Sequence, residues 1–213
     1  CTGSEWLNGD AQGDNFGESL VVDEVAGLVW IAATGVDDPD LGVGRLYAIP
    51  FGSTSTADAV LTVSGEAIAD HLGTQIGLLP DMDADGYAEL WVSAYGSDRN
   101  GLNAGAVYLL STTTMGADVS GATAILTGNA AGDYFGWDLW HEGSAMMATA
   151  PNASVGGVHN GAAYLFNLLV PGEQSAATAD VVFVGEQSGE LAGWSMSRAD
   201  FNADGLLDLA MGS

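Results

Sequence analysis

Lysine is absent from this chain of 213 residues, and arginine occurs three times, at Arg45, Arg99 and Arg198. Against 28 acidic residues this leaves a formal net charge of -25. A protein that grips nucleic acid by neutralising phosphates is thereby excluded, because that contact needs a basic patch. Electrostatic attachment to an anionic membrane surface is disfavoured for the same reason. Cysteine occurs once, at Cys1, so no disulfide can form within the chain. No apolar run is long enough to cross a bilayer as a helix, and no stretch keeps a helical hydrophobic period.

What the chain has instead is glycine, 31 of them, and acid. The glycines keep a register. Gly-Asp-Asn-Phe-Gly ends at Gly17, Ala-Asp-His-Leu-Gly at Gly73, Gly-Asp-Tyr-Phe-Gly at Gly136 and Gly-Glu-Leu-Ala-Gly at Gly193, separations of 56, 63 and 57 residues. Eight residues before each stands another glycine (Gly9, Gly65, Gly128, Gly185), followed by Asp10, Glu66, Asn129 or Glu186. A third mark recurs as Gly44-Arg45-Leu46-Tyr47, Gly105-Ala106-Val107-Tyr108 and Gly161-Ala162-Ala163-Tyr164. Repeats at this period signal a solenoid or propeller. The units run approximately over residues 9–64, 65–127, 128–184 and 185–213, the last incomplete, within a single domain over 1–213.

Between the marks lie apolar runs rich in Val, Ile, Tyr and Trp and bounded by turn residues, which read as short strands. The expected strands are 17–23, 27–33, 44–50 and 58–64 in the first unit and 73–79, 88–94, 105–111 and 122–127 in the second. The third unit gives 136–140, 145–150, 161–167 and 179–185, and the fourth 193–198 and 207–212. Four antiparallel strands per unit predict an all-β fold, a β-propeller of which about three and a half blades are present. Trp30 and Trp91 hold equivalent second-strand positions and are expected between blades, whereas Trp140 is the one candidate for stacking on a sugar.

The acid is concentrated in Asp81-Met82-Asp83-Ala84-Asp85-Gly86-Tyr87-Ala88-Glu89, with carboxylates at positions 1, 3, 5 and 9 and Gly at 6. The pattern recurs as Asp200-Phe201-Asn202-Ala203-Asp204-Gly205-Leu206-Leu207-Asp208. Such clustered carboxylates repel one another unless a hard cation sits among them. Ca²⁺ accepts roughly six to eight oxygens in an irregular cage, so it is the expected ion. An EF-hand is excluded: position 12 is Val92 or Met211 rather than an acid, and the flanks look like strands. An acidic solvated turn is the alternative. Val36-Asp37-Asp38-Pro39-Asp40 reads as such a turn, made rigid by Pro39.

Phe16-Gly17 and Phe135-Gly136, the two acidic loops and the small-residue turns Ala33-Thr34-Gly35, Ala94-Tyr95-Gly96 and Ala150-Pro151 together resemble the FG-GAP repeats of the integrin alpha-subunit propeller. The resemblance implies that the cation loop joins the first and second strands of a blade. It implies as ligands Asp81, Asp83, Asp85 and Glu89 with the Tyr87 carbonyl, and Asp200, Asn202, Asp204 and Asp208 with the Leu206 carbonyl. The first and third units lack the acids, and Leu72 and Ala192 replace the Phe. Propellers of that family close with about seven blades, so the resemblance implies a segment of a longer ring or a second chain that completes it.

By the same resemblance the protein works outside the cell in adhesion or recognition. It would bind a protein or glycan on the face opposite the Ca²⁺ loops, through segments 34–43, 96–104 and 151–160. A structural or assembly subunit of a surface lipoprotein complex is the second reading. Cys1 fits either the lipidated first residue of a mature bacterial lipoprotein, at the outer membrane or in the periplasm, or an ordinary cysteine. No enzyme is expected. His71, His141 and His159 fall at different points of their units and form no zinc spacing or nucleophile–base pair. A propeller hydrolase or lyase is a third, weaker reading.

Overall fold

The apolar runs become strands, and the glycine marks become the joints between sheets. A computed structural model describes residues 6–37, 41–82, 84–167 and 170–213. Cys1, Asp83 and the acidic turn at 38–40 lie outside the described residues. Strands β1 (Phe16–Asp23), β2 (Leu28–Ala33), β3 (Arg45–Pro50) and β4 (Leu61–Ser64) form one antiparallel sheet in chain order. Strands β5 (Ile76–Leu79), β6 (Glu89–Ala94), β7 (Ala106–Ser111) and β8 (Ala124–Thr127) form the second. The third holds β9 (Leu139–Glu142), β10 (Ala145–Ala150), β11 (Ala162–Phe166) and β13 (Val181–Val184). A two-stranded sheet of β14 (Ser195–Ala199) and β15 (Asp208–Gly212) follows. The fold is all-β and propeller-like, and among the described residues there are three complete blades and half of a fourth, with no sheet that closes on itself.

Three features differ from expectation. The first strands of later blades begin about three residues late. At the joint glycine of the third and fourth blades two successive N–H groups share one carbonyl: Gly136 and Trp137 both donate to the Thr149 carbonyl, and Gly193 and Trp194 to that of Gly212, while Gly73 of the second donates to that of Ser93. Regular pairing resumes only after this bulge-like start. The fourth strands also begin late, because a 3₁₀ turn precedes each one: Thr56–Asp58, Val119–Gly121 and Ala176–Thr178. A strand that was not expected at all, β12 (Gly172–Ser175), leaves the third blade and pairs in parallel with β8 of the second.

The blades pack face to face. Side chains alternate along β6, and all six of its residues are buried. Leu90 and Val92 join Trp30, Leu46 and Val63 of the first blade in one cluster. Trp91 joins Met146, Tyr164 and Phe166 of the third in another. Trp30 and Trp91 are 1% and 4% exposed, so both lie between blades as their equivalence implied.

The repeated motif is the clasp of this packing. Asp133 accepts the N–H groups of Asn129 and Ala130 at 3.1 and 2.9 Å, and Asp70 does the same for Glu66 and Ala67. The next residue turns the chain through positive φ, 55° at Tyr134, and drops Phe135 into the core at 0% exposure. Gly105 of the preceding blade meets it there. A Cβ at Gly105 would come within 2.1 Å of the Phe135 carbonyl oxygen, and its φ of +84° already favours glycine. The acid after the earlier glycine reaches a third-strand tyrosine: Tyr47 donates to Asp10 at 3.0 Å and Tyr108 to Glu66 at 3.2 Å.

Candidate metal centre

Both acidic loops connect the first and second strands of their blades, 81–88 between β5 and β6 and 200–207 between β14 and β15. Their backbones follow one path. Ala84 and Ala203 have φ of 63° and 61°, and Gly86 and Gly205 of 94° and 85°. Position 1 accepts the N–H of position 6: Gly86 donates to Asp81 and Gly205 to Asp200, each at 2.9 Å. Position 5 accepts from position 7, Tyr87 to Asp85 at 2.9 Å and Leu206 to Asp204 at 2.8 Å. Position 9 accepts from position 2, Met82 to Glu89 at 2.8 Å and Phe201 to Asp208 at 2.9 Å. Apart from the shared Ala84 and Ala203 the intervening side chains differ, Met82, Tyr87 and Ala88 against Phe201, Leu206 and Leu207, so the acids and the glycine set the conformation.

The loops differ in what backs them. Glu89 starts β6 opposite Ser111 of β7 and is 4% exposed, whereas Asp208 starts β15, which pairs among the described residues with β14 only, and is half-buried. The β7–β8 turn leans on the first loop: Thr112 donates to the Ala88 carbonyl at 2.8 Å, and the Thr113 hydroxyl donates to Asp85. That hydroxyl, helped by the Tyr87 N–H, holds the Asp85 carboxyl below the usual carboxylate range. In the first blade the corresponding turn is short, and Asp23 caps Ala26 N–H at 2.9 Å. In the third only Gly143 and Ser144 separate β9 from β10.

The donor set fits a hard divalent cation. Every side-chain group at positions 1, 3, 5 and 9 is a carboxylate or, at Asn202, an amide oxygen, and a carboxylate oxygen that accepts one N–H keeps a lone pair for a metal. The ion pairs of Arg99 run to Glu66 and Glu173 and that of Arg198 to Glu142, and Arg198 also donates to the Leu207 carbonyl of the second loop at 3.5 Å. Among the described residues no three Asp, Glu, His or Cys side chains already converge as a ligand group, and Asp83, the position-3 acid, lies outside them.

The other candidates are scattered. His71 stacks on Tyr95 with ring centroids 5.2 Å apart and its Nδ1 lies 3.3 Å from the Thr34 carbonyl. His141 lies edge-on to Trp91, and burial lowers its pKa. His159 Nδ1 is 3.0 Å from the Asn152 carbonyl. Trp140 is not open to a sugar on both faces: the Arg198 guanidinium lies 3.7 Å from its ring centroid. Sequence reasoning missed a chain of half-exposed rings, Tyr95 just after β6 to Trp137 just before β9 at 5.0 Å and Trp137 to Trp194 just before β14 at 4.6 Å. The signal was present, since Trp137 and Trp194 both directly follow the repeated glycine.

The long second-to-third loops lie at the other end of the strands, and each is tied to the next linker. Ala69 and His71 donate to the Leu41 and Gly42 carbonyls, Gly132 and Tyr134 to those of Leu102 and Asn103, and Gly189 and Leu191 to those of Val158 and His159. These loops are braced across each joint by the same pair of bonds. No curated protein matches the chain. Residues 72–110, from the core-facing Leu72 through the whole of the first acidic loop into β7, match the FG-GAP repeat family.

Proposed function

We propose that this chain is part of a calcium-stabilised propeller of the integrin alpha type that acts outside the cell in adhesion or recognition. Asp81, Asp83, Asp85 and Glu89 with the Tyr87 carbonyl would hold one Ca²⁺, and Asp200, Asn202, Asp204 and Asp208 with the Leu206 carbonyl a second. The bound ion supplies positive charge that offsets repulsion among the loop carboxylates in a chain of net charge -25. The protein's own part is to pre-form the loop and hold the β5–β6 and β14–β15 connections in register. The observation that carries this reading is the shared fold of two acidic loops about 120 residues apart in the chain, with positions 1, 5 and 9 bonded alike.

The face opposite these loops, built from segments 34–43, 96–104 and 151–160, is where a protein or glycan partner would bind, and the half-exposed Tyr95, Trp137 and Trp194 are its natural anchors. An extracellular setting supplies millimolar calcium, and lipidation at Cys1 would attach the protein to a surface. Calorimetric titration of chelator-stripped protein tests the metal reading. Two calcium ions per chain are expected, with one lost in Asp81→Asn and the other in Asp200→Asn. No heat of binding at millimolar calcium would sink it. Binding to panels of extracellular proteins and glycans, with and without chelator, tests the recognition role.

A further inference from the structure

The segment that leaves β7 is held at both ends, by the first acidic loop at its start and by the first blade further on. At its start, Thr112 donates to the Ala88 carbonyl at 2.8 Å and the Thr113 hydroxyl donates to Asp85. A hydroxyl has one proton to give, so in the 3.1 Å contact between Ser111 and Thr113 it is Ser111 that donates. The N–H groups of Thr114 and Met115 turn back to the Ser111 carbonyl at 3.3 and 3.0 Å. The turn is thereby tied to the end of β7 and to the acidic loop at once.

Further on, the same segment closes the outer edge of the first blade. Ser64, the last residue of β4, donates its N–H to the Ala117 carbonyl at 2.9 Å and pairs in parallel with Asp118. Asp118 in turn caps the 3₁₀ turn by accepting the Ser120 N–H at 2.9 Å. Met115 and Val119, at 9% and 0% exposure, enter the cluster that holds Trp30, Leu46 and Val63 of the first blade. A short run of bonded residues therefore leads from Asp85 to the edge of β4.

Toward the third blade the loop stands differently. Met82 and Glu89 face Val170 and Pro171 across a cavity of about 150 Å³. The third blade's cover on β8 starts beyond it, where the Gly172 N–H donates to the Thr123 carbonyl at 2.9 Å.

We infer, on the calcium reading given above, that an ion in loop 81–89 governs the seam between the first and second blades rather than the seam between the second and third, with Thr112 and Thr113 as the positioning residues that carry its effect. An ion that gathers the loop carboxylates fixes Asp85 and the Ala88 carbonyl, the two acceptors on which the turn at 111–115 rests. Without it the carboxylates repel one another, the turn loses those acceptors, and Ala117 and Asp118 are no longer held against Ser64. Calcium shifts this opening by binding the closed loop better than the open one. A fall in calcium thus uncovers the edge of β4, and an uncovered strand edge is a pairing surface.

The test is hydrogen exchange at single amides of the full chain, read by NMR with saturating calcium and with chelator. In the wild type, chelation should speed exchange at the Ser64 amide at least about tenfold, and at the Gly172 amide far less. Asp200→Asn, which spoils only the second loop, should leave that response unchanged. In the double variant Thr112→Val, Thr113→Val, still binding calcium by calorimetry, the Ser64 amide should exchange fast with or without the ion. Serine at both positions should restore the wild-type response. Three outcomes overturn the inference: a Ser64 amide indifferent to a calcium ion that calorimetry shows bound, a double valine variant that responds as the wild type does, or an equal response at Gly172, which would mean general loosening. Absence of any heat of calcium binding would instead sink the metal reading, and this inference with it.

Discussion

Loops 81–89 and 200–208 carry acids at positions 1, 5 and 9 and share the hydrogen bonds these accept, yet they stand in different surroundings. The first runs into β6, which has a strand on either side and blades on both faces. The second runs into β15, whose one partner among the described residues is β14. Conformation is therefore local, written in the acids and the glycine. Burial of the last acid is contextual, and it separates Glu89 at 4% exposure from the half-buried Asp208.

The hardest test of this contrast is truncation of the two ninth-position acids. Glu89→Ala strips the Met82 N–H of its acceptor and opens a hole at a buried site, at an expected cost of about 3 kcal/mol. Asp208→Ala releases the Phe201 N–H to water and should cost about 1 kcal/mol. Urea unfolding in chelator measures both. Equal costs would mean that the surrounding sheet contributes nothing.

Calcium should sharpen the same difference. At a hundredfold excess over the dissociation constant, one ion binding only the folded chain adds about 2.7 kcal/mol. The site at 81–89 is expected to be the tighter, because Thr112 and Thr113 already hold its far side. Asp81→Asn should therefore lower the calcium-dependent shift in the melting midpoint more than Asp200→Asn. The reverse order would break the comparison.

Why so much of this was legible from the chain, and some was not, comes down to the range of the forces involved. The strands announce themselves because short apolar runs end at glycine or acid. The acidic loops are legible because alternation and Gly86 or Gly205 specify a local path. The parallel strand β12 was not, since Gly172-Glu173-Gln174-Ser175 is polar and its pairing with β8 reaches across about 50 residues. The cover on one face of Trp140 was not legible for a similar reason: Arg198, which supplies it, lies 58 residues away. The register of Gly65-Glu66 was visible, but its use, a hydrogen bond from Tyr108 and an ion pair with Arg99, appears only when the blade is folded.

A smaller effect probes what the loops share. Gly86 and Gly205 both sit at positive φ with open space around the position of a Cβ, so an added methyl meets no atom and only the backbone conformation resists it. Gly86→Ala and Gly205→Ala should each cost about 1 kcal/mol, and equally. A markedly larger cost in the first loop would show that its conformation depends on the blade behind it, against the view that the path is set locally.

The smallest expected effect isolates one contact that the second loop is not seen to have. Asp85 titrates below the usual carboxylate range first because the Thr113 hydroxyl donates to it and then because of the Tyr87 N–H. A carboxyl depressed on folding stabilises the fold above its unfolded pKa, and that contribution fades as pH falls through the folded value. In metal-free protein, Thr113→Val removes the larger cause and leaves the smaller. The Asp85 pKa, followed by carboxyl-carbon NMR, should rise toward the ordinary range, and the stability lost should appear at neutral pH and shrink in acid. Because Asp85 is fully exposed, solvent screening keeps this change small. An unmoved Asp85 titration would show that the hydroxyl does not hold the carboxylate and would remove one of the two threonine contacts that set the first loop apart from the second.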